Sequence, residues 1–362
     1  MKSFLRVLGF CGACIAFYIG AGYATMQEIM QYEASYGSRF GIVILVAALI
    51  YLYTNWSFAT NGAKANLKRG GDIYRVYAGK YVGTFFDYFS AFFCYTCFIV
   101  MCGGANSVMM EQWGFPNGVG SVVLALAVMA TTIFGLEGLV SVLKRIAPLI
   151  ILMIIFVAVW SLVAINGDVA AGLETINSGK YEISQVGNNN PIASGASYGG
   201  FVIFWFAAFL AELGAKHNVK EVNRGMYLSI LGIFGVSIIC CLALIANVDE
   251  LWNVGVPALV LARHIHPAIA IAYAVIIFLG IYTSACPLLW TGLRRLSNEG
   301  TLRYKILTVV FGVIGCLIAC FVPFRGLLNV IYGLNGYLGI VFVAFMIVYD
   351  VRMFIAKRKA KN

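Results

Sequence analysis

Charge is what this chain has least of. Only 11% of its 362 residues are Asp, Glu, Lys or Arg, against roughly 25% in soluble domains. That scarcity excludes an ordinary soluble globule, because the 61% of residues that are apolar need lipid, or other lipid-facing helices, to cover them. Paired His/Asp metal motifs and a serine elbow on a helix are missing, which argues against an enzyme. A repeated pore motif and a soluble signalling domain are missing too, which weighs against a channel or a membrane-embedded sensor. The ten cysteines include Cys11 and Cys14, and Cys94 and Cys97, at CxxC spacing. All ten fall inside apolar runs, where Cys behaves as a small buried apolar residue, whereas zinc sites of that spacing sit in loops. No resident cofactor is expected. His264 and His266 fall in a loop and carry no motif. The net charge of +10 would suit nucleic acid, but the basic residues come in short clusters between apolar runs, so the bilayer surface is the expected partner.

What the chain does have is ten apolar stretches, each near the roughly 20 residues that a bilayer span needs. They cover 4–33, 39–61, 83–110, 118–135, 138–165, 196–218, 225–247, 267–292, 302–323 and 327–356. The expected fold class is an all-α polytopic membrane protein. With the N-terminus inside, 21 of the 25 Lys and Arg residues fall in cytoplasmic segments. The outer four are Arg39, Lys180, Arg263 and Arg325. An odd number of spans would scramble this split, so both termini are expected to be cytoplasmic, in a cell inner (plasma) membrane. Lys2 and Arg6 before an apolar run resemble a signal peptide. However, Cys14 follows Cys-Gly-Ala rather than a lipobox, and the polar break beyond it continues into a helix-like segment, so no cleavage is expected.

A polar stretch rich in Gly, Asn, Asp and Ser divides the chain. The expected units are 1–165 (spans 1–5), an outer linker at 166–195, and 196–362 (spans 6–10 with a basic tail). Five spans per half give the second half inverted topology, a common transporter plan. The most informative residues are 16–34. There Gly20 and Gly22 interrupt an apolar run, and Gln27 and Glu28 follow at once. Backbone groups freed at bilayer depth are tolerated only where they line a protein cavity, and secondary transporters place substrate and coupling ion at such breaks. By symmetry span 6 should also be discontinuous, with the break expected around Phe206–Ala208.

The run Ile19-Gly-Ala-Gly-Tyr-Ala-Thr-Met-Gln-Glu28, then Tyr36-Gly37 and Gly41, resembles the opening of the YkvI-like bacterial membrane proteins, typically IGAGFASGQE followed by a YG turn. The resemblance continues at Gly103–Pro116 and Gly135-Leu-Glu-Gly-Leu139 and is weaker in the second half. Met26 departs from the usual glycine of SGQE. That family is similar to the amino acid–polyamine–organocation transporters, which implies a LeuT-type fold of two inverted five-helix repeats with broken helices 1 and 6. Lys220-Glu-Val-Asn-Arg-Gly225 also looks like a segment of amino acid permeases, and Leu210 stands where those usually carry a glycine.

Candidate substrate contacts are Gly20, Ala21, Gly22, Tyr23 and Gln27 at the break. Phe204, Trp205, Phe206 and Ala207 are expected to form an apolar wall, with Tyr95 and Phe98 of span 3 closing it. Small residues at the break equally suit tight helix packing, and aromatics at helical spacing equally suit a core. Candidate coupling residues are Glu28, Glu212, Lys144, Thr283 and Ser284, with the carbonyls of Ile19 and Gly22. The LeuT-type resemblance implies that hydroxyls at 283–284 join carbonyls of the span 1 break around Na⁺. In some proton-coupled relatives a span 5 lysine, here Lys144, replaces that ion. Each has a plainer reading: Glu28 paired with Arg39, Glu212 paired with Lys216 one turn on, Lys144 snorkelling to headgroups, and the hydroxyls bonding their own helix. Metal-ion carriers of the natural-resistance type carry Asp-Pro-Gly on span 1 and Met-Pro-His on span 6, and both are absent here. The expected function is secondary active transport of a small amino acid or related amine or zwitterion, coupled to Na⁺ or H⁺, by a monomer or homodimer. A sensor, a channel or a metal-ion transporter is the alternative.

Overall fold

The computed structural model describes residues 2–65, 67, 69–134, 139–164 and 167–359; the side chains of residues 2, 16, 17 and 139–147 lie outside that description. Part of the Gly135–Leu139 motif and the Lys144 side chain therefore fall outside the described residues. The first half runs α1 (Lys2–Tyr18), α2 (Ala21–Ala24), α3 (Gln27–Tyr32), a 3-10 turn (Ala34–Arg39), α4 (Phe40–Gly62), a 3-10 turn (Gly70–Asp72), α5 (Ile73–Trp113), α6 (Val119–Phe134) and α7 (Leu139–Val163). The linker holds α8 (Val169–Asn177). The second half runs α9 (Pro191–Phe201), α10 (Ile203–Lys216), α11 (Val219–Ala246), α12 (Val248–Leu251), α13 (Pro257–Ile265), α14 (Pro267–Arg294), α15 (Leu302–Phe321), α16 (Phe324–Leu327), a π turn (Leu328–Tyr332) and α17 (Gly333–Lys359). Among the described residues, all ten apolar stretches are largely helical. Among the described residues, six helices are long and apolar enough to cross a membrane, or seven with α9 and α10 taken as one. Three shorter apolar helices accompany them. This is an all-α, multi-pass membrane protein.

The first span is broken twice. After Tyr18 the backbone leaves the helix, and Gly20 is extended (φ −109°, ψ −170°) before the single turn of α2. The second break is at Met26, which sits in the left-handed region (φ +59°). That conformation costs a non-glycine residue about 1–2 kcal/mol, which explains why the resembled family favours glycine at this position. The freed carbonyls are caught from afar. The Tyr273 hydroxyl donates to Ala24 O at 3.0 Å, and the Ala258 amide donates to Thr25 O at 3.2 Å. This is the internal satisfaction that lipid cannot provide.

The sixth span is also discontinuous, but at a different place from the one expected. The bend, 45°, falls at Val202, between α9 and α10, not at Phe206–Ala208, which lie inside α10. The bend follows a glycine pair that packs closely on neighbouring helices. Gly199 and Gly200, just before the bend, press their Cα atoms onto Ile50 of α4 and the Gly336 carbonyl of α17. Glycine also sets the approach of α10 to α4, where Gly62 meets the Ala211 backbone and Gly214 meets that of Ala59.

The helices sort into two packed groups. In one, α1 packs on α11, and α4 packs on α9, α10 and α11. In the other, α5 packs on α14, α6 and α15.

Candidate functional site

Between these two groups, beside the first break, lies a cavity of about 340 Å³. One group contributes Ile19 and Gly20, with Phe204, Trp205, Ala208 and Phe209 of α10. The other contributes Ser90, Cys94 and Met101 of α5, and Thr283, Ser284, Pro287, Leu288 and Thr291 of α14, with Arg295 and Gly71 at the end where the basic clusters lie. Gly20 helps to keep this space open, since a Cβ there would point at Met101 Cε (3.2 Å) and Trp205 Cη2 (3.4 Å). The walls are largely apolar and aromatic, with a few hydroxyls and one guanidinium, as small-molecule sites generally are.

The expected residues divide accordingly. Ile19, Gly20, Phe204, Trp205, Thr283 and Ser284 are brought together around one space. Ala21 is packed against Gly104 instead. The Gly22 carbonyl faces the Thr25 hydroxyl at 3.1 Å, and Gly22 does not line the cavity. Tyr23 points the other way and donates to Ile233 O at 2.9 Å, so it does not cap this space. Gln27 is 1% exposed and lies beyond the second break. On α5 the expected residues turn away from the cavity. Tyr95 donates to Phe311 O at 3.1 Å and Phe98 packs on Gly315, both towards α15, while Ser90, Cys94 and Met101 hold the cavity face. Phe206 packs on Tyr51 at 5.3 Å, and Ala207 is buried beside it, away from the cavity. Thr283 Oγ1 donates to Gly280 O at 2.9 Å, so it bonds its own helix as well as lining the cavity.

Glu28 makes no pair with Arg39, whose guanidinium holds Asn189 Oδ1 at 2.5 Å. Its carboxylate folds back onto Gly22, where a Cβ would meet Glu28 Oε2 at 2.6 Å. Glu212 lies at the basic end, bridged to Lys216 at 3.2 Å; its other oxygen accepts from the Gly70 amide at 3.1 Å. It is a tie between α10 and the loop before α5.

The sequence reading missed the charged cluster at the cavity's basic end. Asp87 of α5, 1% exposed at its side chain, receives Arg69 at 2.6 Å, Arg295 through a short contact, and Arg75 at 3.9 Å. Asp72 adds contacts to Arg69 (3.3 Å) and Arg75 (3.4 Å). Removing one partner of a fully buried pair costs about 3–5 kcal/mol. The arginines here are 22–46% exposed, so Asp87→Ala is expected to cost less, about 2 kcal/mol. A melting temperature unchanged from wild type would contradict this.

At the opposite end the route is sealed. The Gln31 side chain donates to Arg325 O at 3.1 Å, and Val186 N donates to Gln31 O at 3.2 Å. The Tyr36 hydroxyl donates to Val186 O at 2.5 Å, and Ser194 Oγ donates to Tyr32 O at 2.9 Å.

Among solved structures, the chain is similar to one described as the inward facing conformation of Mhp1, with a TM-score of 0.64 at 15% identity, covering 98% of this chain and 77% of that one. It is similar to MhsT in complex with L-phenylalanine, with a TM-score of 0.60 at 16% identity, covering 94% and 88%. It also resembles a manganese transporter of Eremococcus coleocola, with a TM-score of 0.56 at 14% identity, covering 95% and 78%. In sequence it is 20% identical over 151 residues to the uncharacterized protein YyaD of Bacillus subtilis (strain 168), a match spanning 42% of this chain and 41% of that protein. No family model matches. The chain thus has the LeuT-type fold of these transporter structures.

Proposed function

We propose that this protein is a secondary transporter of a small amino acid or related amine or zwitterion, working by alternating access in the plasma membrane. The observation that carries the reading is the cavity at the first break, lined from both packed groups. Rocking α1–α4 and α9–α11 against α5, α6, α14 and α15 would move one wall relative to the other, exchanging the sealed end for the approachable one. The basic end is the cytoplasmic one on the Lys/Arg distribution, which makes this an inward-facing state with both termini inside. The resemblance of residues 19–28 to the YkvI-like proteins supports the same class.

The cavity's chemistry supports the substrate class. Trp205, Phe204, Phe209, Met101 and Leu288 offer an apolar wall, while polar contacts are confined to Ser90, Thr283, Ser284, Thr291, Arg295 and the Gly20 backbone. A sugar needs many side-chain hydrogen bonds. A hard divalent metal ion as cargo is best served by carboxylates, and among the described residues none lines this cavity.

The coupling ion is Na⁺ or H⁺. Thr283, Ser284 and the Ile19 carbonyl are the hard oxygen donors available to Na⁺. Replacing both hydroxyls (Thr283→Ala with Ser284→Ala) is expected to abolish any Na⁺ dependence of uptake; a Na⁺ response equal to wild type would remove these residues from the ion's path. The reading as a whole is tested in proteoliposomes against a panel of amino acids and amines. Saturable, gradient-driven uptake is expected, whereas unsaturating current would mark a channel.

A further inference from the structure

Two carboxylates, Glu28 and Glu33, lie deep in the protein on the polar half of the first span. Their residues are 3% and 0% exposed. Neither lines the 340 Å³ cavity, and among the described residues neither takes part in an ion pair. Both oxygens of Glu33 are buried without a hydrogen bond of ordinary geometry, although the Ser237 hydroxyl lies beside them. Gln27 Oε1 and the hydroxyl oxygens of Tyr32, Tyr51, Tyr198 and Tyr332 are likewise buried without a partner. The Tyr198 hydroxyl lies beside Glu28 yet makes no hydrogen bond of ordinary geometry.

Among the described residues, the surroundings of the pair contain no counter-charge. From α1, α2 and α4, Tyr18, Tyr23 and Tyr51 face Glu28. From α3, α5, α9 and the π turn come Tyr32, Cys97, Tyr198 and Tyr332. Glu33 meets Tyr23 and Tyr198 again, and Cys240 and Cys241 of α11. It lies close enough to Glu28 for the two charges to repel. Every other group in this set is neutral at physiological pH. A buried charge is retained only when it is paired and hydrogen-bonded, and acids inside membrane helices commonly mark proton paths.

We propose that Glu28 and Glu33 form a proton-carrying pair: both are neutral carboxylic acids in this sealed state and ionise when the segment above them opens. The bonds that break in each event are the two carboxyl O–H bonds, and the protons pass to water. The proposal rests on the transporter reading, and it selects H⁺ rather than Na⁺ as the coupled ion. The seal consists of the Val186–Gln31 and Gln31–Arg325 hydrogen bonds, which join α3 to the linker and to α16. Lifting them would admit water to Glu33 first and Glu28 next. Glu28 also reports on the break itself, since its carboxylate rests on Gly22.

The test is an infrared titration of purified wild-type protein and of Glu28→Gln, Glu33→Gln and the double variant, which keep side-chain shape and remove the acid. At neutral pH the wild type is expected to show the carbonyl stretch of protonated carboxyl groups. Each single variant should lose about half of the wild-type-minus-double difference, because two equivalent groups contribute. An identical band in wild type and double variant would overturn the proposal. So would a wild-type band that vanishes when Na⁺ or K⁺ is added at constant pH, because the pair would then be holding a cation. The measurement needs no solute, so it succeeds or fails independently of uptake. If the variants do not fold, absence of the band from the wild type alone would still refute the pair.

Discussion

Gly20→Leu abolishes uptake while the protein still folds and reaches the membrane. The position is extended at φ −109°, a conformation open to any residue, so a side chain adds no backbone strain. Its Cβ would point into the cavity between Met101 and Trp205, and a leucine fills a substantial share of about 340 Å³. A loss of fit worth about 2.8 kcal/mol is a hundredfold in binding, so solute uptake at concentrations that half-saturate wild type should fall to near background. The variant should keep a single sharp melting transition within a few degrees of wild type. Uptake at wild-type rates would mean that solute does not bind beside the break.

The second large effect is on stability. Gly200→Leu places a side chain where α9 meets α17, against the Gly336 carbonyl, while Gly339 packs on the Gly200 carbonyl in return. Backbone cannot yield as a side-chain tip can, so the helices must part. Overpacking costs about 1–3 kcal/mol and occasionally more, and this site belongs at the upper end. Folded yield should drop sharply and the melting temperature should fall by many degrees. A fully stable Gly200→Leu protein would show that the bend at Val202 does not depend on this contact. Close approach through small residues is the general means by which membrane helices associate.

The first break was legible in the sequence because it is written locally: two glycines one residue apart inside an apolar run, with Gln27 and Glu28 immediately after. The break in the sixth span was legible only as a requirement of symmetry. Val202 has no composition of its own, and its position is set by where Gly199 and Gly200 land on α4 and α17, a tertiary fact. On α5, apolar residues occur on every side, so hydrophobic periodicity could not select a face. Neighbouring helical positions point about 100° apart, enough to turn Tyr95 towards Phe311 while Cys94 faces the cavity.

Two charged features escaped for opposite reasons. The Asp87 cluster draws arginines from three segments, and no spacing along the chain announces it. Glu33 ends the first apolar stretch in plain view and has no expected role there, because the sequence reading centres on Gly20 to Glu28; it is fully buried. The linker helix α8 and the start of α9 carried signals that were readable. Asp168 accepts from the Ala170 and Ala171 amides, and Asn190 accepts from Ile192 and Ala193 ahead of Pro191 at the helix start. Both are ordinary N-caps inside a stretch whose overall polarity read as loop.

The central claim is that the first helix comes apart at Gly20 and that solute sits there. A cysteine introduced at this position, in a chain cleared of its other cysteines, tests it most directly through a membrane-impermeant thiol reagent. Gly20→Cys is expected to be modified from the side of the basic clusters and to be protected by the transported solute, whereas a control cysteine at Leu296, in the loop at that same end and 44% exposed, should react equally with and without solute. A Gly20→Cys that stays unreactive from both sides, or that reacts equally with and without solute, would contradict it.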